Sequence, residues 1–286
     1  MVNANNPLKS ILKANDHISI PGVYDALSAK LAELNGFPAA WVSGFCVSTS
    51  FFIPDENYLT IDQYVRRVWE IRKISKIPLI VDCDEGYGGI ENSRELTRRL
   101  SDVGAEAFCL EDNAYPKINS FKNSANRKAP LENADLFANK IAAVKADNPS
   151  SLVIARTESL IAGEDLENAV KRAALYQSAG ADLLVIHSKS RVISDFEKIA
   201  RHWGQPSSLV VIPTLAASVR IEDLAALGFK VIILANQLLR GVISSMYDSY
   251  NKFKKNPAID ELGNSVVTMD FIFSLIDKHS DIHENV

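Results

Sequence analysis

The residues that could carry chemistry stand at the ends of short apolar runs. One run ends in Asp82-Cys83-Asp84 and another in Glu111-Asp112, so a switch from apolar to carboxylate occurs twice. Asp82 and Asp84 lie two residues apart and would point to one side if strand geometry persisted. With Glu111 they would repel one another unless a cation lay among them. An all-oxygen set without a His or Cys pattern predicts Mg²⁺, with Mn²⁺ as a possible substitute, rather than Zn²⁺.

The alternative interpretation is structural and needs no cation. These carboxylates would then cap the following helices or pair with Arg94, Arg98 or Arg156.

Two further runs end in a cationic or ionisable side chain, Arg156 and His187. The planar fork of an arginine suits an anionic substrate, and a histidine can donate to it or carry a proton. The alternative for His187 is a hydrogen-bonded histidine buried in the rim of the fold. A fifth run is followed by Ser43-Gly44-Phe45, whose backbone N–H groups could approach a carboxylate because glycine permits close contact.

The segment 113–133 is polar and contains no predicted strand. Structureless segments of about twenty residues inside compact domains are usually lids or disordered. Because it directly follows the predicted metal site, we expect a lid that carries Lys117, Asn119 and Arg127. A flexible surface insertion is the alternative.

Eight apolar runs would form the strands that position these groups. They lie at 17–21, 39–43, 78–82, 107–111, 152–156, 183–187, 209–213 and 231–235. Their nearly continuous apolar character is typical of strands buried on both faces of a parallel sheet, and stretches of helical period separate them. Gly36, Gly104, Gly180 and Gly228 each follow a helical stretch, where a left-handed residue can end a helix.

The repeat predicts an α/β fold, a (β/α)8 TIM-type barrel, with the chemistry at the C-terminal ends of the strands. An open doubly wound sheet is the alternative, but no GxGxxG follows the first run. We expect residues 1–240 to form the barrel, with the lid at 113–133. Residues 241–286 would add C-terminal helices that pack on the barrel or on a neighbouring subunit.

Composition narrows the class of protein. The chain has 286 residues, of which 47% are hydrophobic and 23% are charged, so a large core can be buried. Its net charge of −4 leaves no basic face for binding nucleic acid. Three cysteines without CxxC spacing argue against a disulfide framework. The sequence shows neither a signal peptide nor an apolar run of about twenty residues. We therefore expect a cytoplasmic protein that binds a small molecule, without nucleic-acid or membrane partners.

Several motifs in order resemble the phosphoenolpyruvate mutase branch of the isocitrate lyase/phosphoenolpyruvate mutase superfamily. They are YDALSA at 24–29, WVSGF at 41–45, PDEN at 54–57, DCDEGYG at 82–88, EDNAYPKINS at 111–120, ARTE at 155–158 and IHSKS at 186–190. The likeness runs from about Gly22 to Arg240. It implies a barrel assembled as a tetramer, a dimer of dimers, with C-terminal helices exchanged between subunits. The implied reaction interconverts phosphoenolpyruvate and phosphonopyruvate in phosphonate biosynthesis.

The resemblance also implies roles for individual residues. Asp82 would hold Mg²⁺ directly, and Asp55, Asp84 and Glu111 would act largely through bound waters. Lys117 and Asn119 would ride on the gating loop. The implied catalytic set is Asp55, Lys117, Asn119, Arg156 and His187. The implied substrate-binding set is Trp41, Ser43, Gly44, Phe45, Asn119, Ser120, Arg156 and His187, with the substrate carboxylate at 43–45 and the phosphoryl group at Asn119, Arg156 and His187.

The sequence departs from the family pattern near the predicted metal. Asn113 stands where a lysine is common, Glu85 where a threonine is common, and Cys46 replaces a small residue. The lyase branch is disfavoured because its lid carries a catalytic cysteine and segment 113–133 has none. A phosphonopyruvate hydrolase, an oxaloacetate decarboxylase-like enzyme and a non-catalytic barrel that binds a small dicarboxylate or phosphonate remain alternatives. Asn119 is the residue that would separate mutase from hydrolase.

Overall fold

A computed structural model describes residues 6–122, 130–256, 262 and 266–277. Within these ranges eight strands form one parallel sheet, with β6-β5-β4-β3-β2-β1-β8-β7 as the order of neighbours. The strands are β1 (Ile18–Val23), β2 (Ala40–Val42), β3 (Leu79–Asp82), β4 (Ala107–Glu111), β5 (Leu152–Thr157), β6 (Leu183–Ile186), β7 (Val210–Val211) and β8 (Val231–Leu234). A parallel bridge between Leu184 and Leu209 nearly closes the ring. The predicted (β/α)8 barrel is confirmed, and the open doubly wound sheet is wrong.

Helices follow the strands as the apolar period predicts. Those in the described residues are α1 (Pro7–Ala14), α2 (Ala26–Leu34), α3 (Gly44–Ser50), α4 (Ile61–Ile74), α5 (Ile90–Asp102), α6 (Ala134–Asp147), α7 (Ser159–Ala162), α8 (Leu166–Ser178), α9 (Ile193–Trp203), α10 (Ile221–Ala226), α11 (Gln237–Lys255) and α12 (Met269–Asp277). The four predicted junction glycines all have positive φ, from 76° at Gly36 to 107° at Gly180. These left-handed residues end α2, α5, α8 and α10 and turn the chain into the next strand.

The two-residue period of the strands decides which side chains reach the site. Ile80, Cys109, Ile154 and Val185 belong to the apolar cluster inside the barrel, whereas Val81 belongs to the layer between strands and helices. Side chains two residues apart on a strand point the same way. The residues two positions beyond the four interior ones therefore continue the interior face into the C-terminal mouth. They are Asp82, Glu111, Arg156 and His187.

The chain divides into two compact units, Met1–Gln237 and Leu238–Val286. The first contains the barrel and every residue of the site described below. In the second, α11 and α12 expose large apolar side chains, among them Tyr247, Tyr250 and Phe273. In the described part of the chain, no helix has the length and apolar character needed to cross a membrane.

Candidate active site

An open cavity lies at the C-terminal mouth of the barrel. Most residues that the sequence predicts for the site line it, namely Trp41, Ser43, Phe45, Asp55, Asp82, Lys117, Asn119, Ser120, Arg156 and His187. Five more lining residues were not predicted: Phe121, Ile212, Thr214, Ala235 and Asn236.

Asp82 and Asp84 converge, but not for the reason that their spacing suggested. Strand β3 ends at Asp82, and Asp84 has a left-handed φ of 49°, so the expectation that strand geometry persists is wrong. The two carboxylates lie close together against the backbone of Gly44. A Cβ atom at this position would lie 3.3 Å from Asp84 Oδ1 and 3.5 Å from Asp82 Oδ2. Glycine at position 44 therefore lets α3 begin directly against both carboxylates.

Glu111 is buried, and its two oxygens have different surroundings. Oε1 accepts a 2.7 Å hydrogen bond from Asn113 Nδ2, and Oε2 lies 3.3 Å from Arg156 Nε. Among the described residues Glu111 Oε2 has no hydrogen-bond partner. The alternative of simple pairing thus holds in part for Glu111 and Arg156, whereas Arg94 and Arg98 pair with carboxylates elsewhere.

Lys117 lies among the carboxylates of Asp55, Asp82, Asp84 and Glu111, which form the acidic half of the site. Its side chain is 5% exposed, and its Nζ lies 3.2 Å from Asp55 Oδ2 and contacts Asp84 Oδ1. Its backbone N–H donates to Asn57 Oδ1 at 2.7 Å. Burial favours the neutral amine, but the nearby carboxylates, first Asp55 and then Asp84, outweigh it and raise the pKa of Lys117 well above its ordinary value. The ammonium therefore stays charged.

The acidic half offers carboxylate oxygens, which are the donor atoms that a hard cation prefers. Burial raises the pKa of Asp82 to about 6, although Lys117 and Arg156 partly offset the effect. Glu111 adds a buried oxygen without a hydrogen-bond donor. Three or more His, Cys, Asp or Glu side chains arranged as a metal site do not occur among the described residues. The fit therefore rests on the oxygen donors, and Asp82, Asp84 and Glu111 are the residues that would hold Mg²⁺.

The opposite half of the mouth is a clamp formed by the Arg156 guanidinium and the His187 imidazole, and Arg156 is its cation. Arg156 Nε contacts Glu158 Oε1, and Arg156 Nη2 lies 2.9 Å from His187 Nδ1. His187 Nδ1 also lies 2.6 Å from Glu158 Oε1, and the Ser120 hydroxyl donates to Glu158 Oε2 at 2.8 Å. Burial, helped by Arg156, holds the pKa of His187 below its ordinary value. His187 is therefore the buried, hydrogen-bonded histidine of the alternative interpretation. It also lies on the cavity wall, where its role toward a substrate stays a prediction.

The described part of the lid segment packs over this mouth. Asn113 forms an isolated antiparallel β-bridge with Leu131, and the described residues of the segment, 113–122 and 130–133, contain no strand, as predicted. Asn119 Nδ2 donates to Asp55 Oδ2 at 2.7 Å and brings the segment into contact with the barrel. Arg127, also predicted on the lid, lies outside the described residues.

The turn after β2 forms the remaining wall. Trp41 is fully buried, and the Ser43 hydroxyl caps α3 by accepting the Cys46 N–H at 3.3 Å. The first N–H groups of a helix have no partner within the helix, so those of Gly44 and Phe45 are the ones an anion would meet. Burial raises the pKa of Cys46 to about 12, and its Sγ donates to Ala235 O. This departure from the family pattern is therefore a packed thiol and not a nucleophile.

Glu158 is the main residue of the candidate site to which the sequence analysis assigned no role. It stands two residues after Arg156 in the ARTE motif at 155–158, where only the arginine was expected to act on the substrate. Its position two residues after a cavity-facing Arg156 is the signal that could have found it. Thr214 follows the short strand β7, and Asn236 follows β8. Each is a single polar residue, which is too weak a pattern to predict a site residue.

The fold and the site together define an α/β-barrel enzyme with an acidic half and a cationic half at its C-terminal mouth. The family model described as phosphoenolpyruvate phosphomutase matches residues 8–254. The chain therefore belongs to the phosphoenolpyruvate phosphomutase family, whose members are enzymes that act on small molecules.

Individual relatives agree with this assignment. The phosphoenolpyruvate phosphomutase of Streptomyces hygroscopicus is 33% identical over 96% of this chain and 88% of its own. A crystal structure of phosphoenolpyruvate phosphomutase from Streptomyces platensis subsp. rosaceus is 31% identical, with a TM-score of 0.91 over 98% of this chain and 96% of that one. A phosphonopyruvate hydrolase in complex with oxalate and Mg²⁺ is 29% identical, with a TM-score of 0.87 over 96% and 95% of the two chains.

Proposed function

We propose that this enzyme interconverts phosphoenolpyruvate and phosphonopyruvate with Mg²⁺ as its cofactor, Mn²⁺ being a possible substitute. The observation that carries the proposal is the placement of Asn119. Its amide donates to Asp55 on the cavity wall, and Arg156 and His187 line the same cavity. A migrating phosphoryl group held by this clamp would have an amide, not open solvent, beside it.

The acidic half and the turn after β2 would hold the pyruvate part of the substrate. The N–H groups of Gly44 and Phe45 can donate to its carboxylate, and Trp41 supplies an apolar wall. A bound Mg²⁺, held by Asp82, Asp84 and Glu111, would stabilise negative charge on the enolate oxygen. The charged Lys117 adds a fixed cation between Asp55 and Asp84.

The clamp would hold the phosphorus. Phosphoryl transfer through a loose transition state needs charge stabilisation and positioning more than it needs covalent chemistry. Arg156 supplies a guanidinium whose direction is set by its contact with Glu158 and by its bond to the Ser120 hydroxyl at 3.3 Å. His187 is fixed against the same carboxylate. The clamp is therefore formed before substrate binds, so little reorganisation remains for the reaction.

Water must stay out, because it would take the phosphoryl group and release phosphate. Asn119 is 7% exposed and Ser120 is 4% exposed, so the segment covers the clamp closely. Phe121 packs edge-on against His187, with the two ring centroids 6.3 Å apart. A smaller residue at position 119 would leave room for an attacking water, which is the basis for preferring the mutase.

A phosphonopyruvate hydrolase is the second candidate function. The solved hydrolase noted above has the same fold over nearly the whole chain. The two reactions differ in products, because the hydrolase releases pyruvate and inorganic phosphate.

Phosphorus NMR of the purified enzyme with phosphonopyruvate and Mg²⁺ separates the two. We expect phosphoenolpyruvate with little inorganic phosphate, and we expect Asn119→Ala to slow rearrangement while raising hydrolysis. Asn148→Ala is the matched control, because Asn148 is an equally buried asparagine that bonds to Thr97 and to the Val144 carbonyl. Pyruvate and phosphate as the main wild-type products would overturn the mutase assignment in favour of the hydrolase.

We also propose a tetramer, a dimer of dimers, in which the C-terminal helices are exchanged between subunits. The exposed apolar side chains of α11 and α12 support an interface on this unit. The cytoplasm is the proposed compartment, since Cys46, Cys83 and Cys109 are buried free thiols. Sedimentation velocity of the full chain tests the assembly.

A further inference from the structure

Lys140 is a buried lysine outside the predicted site, on α6 directly after the lid segment. Only 2% of its side chain is exposed. Its Nζ donates to Glu85 O at 2.8 Å, to Gly88 O at 2.9 Å and to Glu132 Oε2 at 2.8 Å. An ammonium has three N–H donors, so all of them are used.

Two of these acceptors belong to the loop that follows β3 and carries Asp84. This loop has left-handed φ values at Asp84, Gly86, Tyr87 and Gly88, and for the non-glycine residues such conformations persist only when the surroundings hold them. Lys140 bonds two carbonyls within it. The position of the Asp84 carboxylate is therefore set in part from α6.

The third acceptor belongs to the returning end of the lid. Glu132 N–H donates to Asp112 O at 2.8 Å, and Glu132 O accepts from Arg172 Nη1 at 3.1 Å. Residue 132 is thus tied to the barrel through its backbone, and its side chain is tied to Lys140. One buried cation consequently joins the Asp84 loop to the base of the segment that carries Lys117 and Asn119.

We propose that Lys140 is a positioning residue that holds the Asp84 loop and the returning end of the lid in one arrangement. Burying an ammonium costs free energy because the charge loses its hydration. Well-packed apolar side chains of similar volume commonly stabilise a fold as much as a buried ion pair does. Its use here gives a defined geometry between two loops that must meet over the substrate. The consequence for turnover rests on the proposed function, whereas the tethering itself does not.

Lys145 offers a matched control on the same helix. Its Nζ also has three acceptors, Asp182 Oδ1 and Oδ2 at 3.0 and 2.7 Å and Ser151 O at 3.0 Å. Ser151 and Asp182 precede β5 and β6, at the end of the barrel opposite the site. Lys145→Met therefore removes a comparable set of contacts without touching either loop of the mouth.

Hydrogen–deuterium exchange of the ligand-free full chain tests the tether. We expect Lys140→Met to speed exchange at least fivefold in peptides covering both 83–89 and 130–133. Glu132→Ala, which removes the acceptor, should affect the second peptide only, and Lys145→Met neither. Turnover should fall about tenfold in Lys140→Met, and adding Glu132→Ala to it should cause little further loss, because the two changes act on one connection.

Unchanged exchange at 83–89 in Lys140→Met, or an equal loss of turnover per folded molecule in Lys145→Met, would overturn the proposal. If Lys140→Met does not fold, Glu132→Ala decides, because unchanged exchange at 130–133 in that variant contradicts the link and faster exchange supports it. Absence of any phosphonopyruvate turnover by the wild type would refute the proposed function instead, and the exchange data would still decide the tether.

Discussion

Asp82 and Glu158 are buried carboxylates at the mouth of one barrel, at the ends of β3 and β5, in opposite electrostatic surroundings. Burial alone would raise both pKa values. For Glu158 the adjacent Arg156 and His187 outweigh burial and lower the pKa below its ordinary value. For Asp82 the more distant Lys117 and Arg156 compensate only in part, and the pKa rises to about 6.

The opposite pKa shifts show in which half of the mouth the protein's own groups compensate the buried carboxylate. Glu158 serves as the counter-ion of the clamp, and its oxygens accept from groups of the chain itself. Burial disfavours the ionised Asp82 carboxylate, and Glu111 Oε2 has Arg156 Nε at 3.3 Å but accepts no hydrogen bond among the described residues. A cation from outside the chain would complete the acidic half, as Arg156 completes the other.

The largest expected effect is the loss of activity in Asp82→Ala. Removing the proposed direct ligand should lower kcat by about a thousandfold or more, since metal stabilisation of transition-state charge is worth several kcal/mol. EDTA should abolish wild-type turnover, and Mg²⁺ or Mn²⁺ should restore it. Full activity in rigorously metal-free enzyme would contradict the cation.

Glu158→Gln should break the clamp and also destabilise the fold. Arg156 would keep a buried charge with less compensation, and removing one partner of such a pair commonly costs about 3–5 kcal/mol. We expect a lower free energy of unfolding in urea and about a hundredfold loss of kcat/KM. Wild-type stability in this variant would show that the clamp does not depend on Glu158.

Asp82→Asn should have the opposite effect on stability. A folded-state pKa of about 6, above the unfolded value of about 4, means that stability falls as pH rises from about 4 to 6 and then stays at the lower level. Metal-free Asp82→Asn should thus be more stable than wild type by on the order of 1–3 kcal/mol at pH 7.5. The gain should vanish near pH 4. Urea unfolding at both pH values measures it, and a loss of stability at pH 7.5 would contradict the pKa assignment.

The lid gives a smaller effect. Ligand bound beneath the segment should stabilise its packing over the mouth and protect segment 113–133 from limited proteolysis by several-fold when Mg²⁺ and sulfopyruvate are both present. Protease digestion followed by mass spectrometry locates the cuts. Equal cutting with and without the pair would argue against a lid.

Sequence patterns were sufficient for the barrel because continuous apolar runs and junction glycines report backbone periodicity directly. They also found Asp82, Glu111, Arg156 and His187, since each continues the interior face of its strand. Contacts between distant segments were beyond them. Asp84 turns inward through a left-handed backbone, which residue spacing does not reveal.

Lys140 shows the same limit on a helix. A lysine on an amphipathic helix normally indicates a solvated face, and here it is buried because two loops fold over it. Glu158 was missed for a related reason, because its partners Ser120 and His187 come from other segments. Local pattern identifies the strand ends, and only the assembled fold shows which buried charge balances which.

Isothermal titration of metal-free protein with Mg²⁺, in buffers of different ionisation enthalpy near pH 6, tests most directly whether the acidic half needs an external cation. The wild type should bind one ion and release a fraction of a proton, because the pKa of Asp82 is about 6 and a bound metal favours the carboxylate. Glu158→Gln should retain this binding, and Asp82→Asn should lose most of it. Equal Mg²⁺ affinity in wild type and Asp82→Asn, or no binding by folded wild type, would contradict the account.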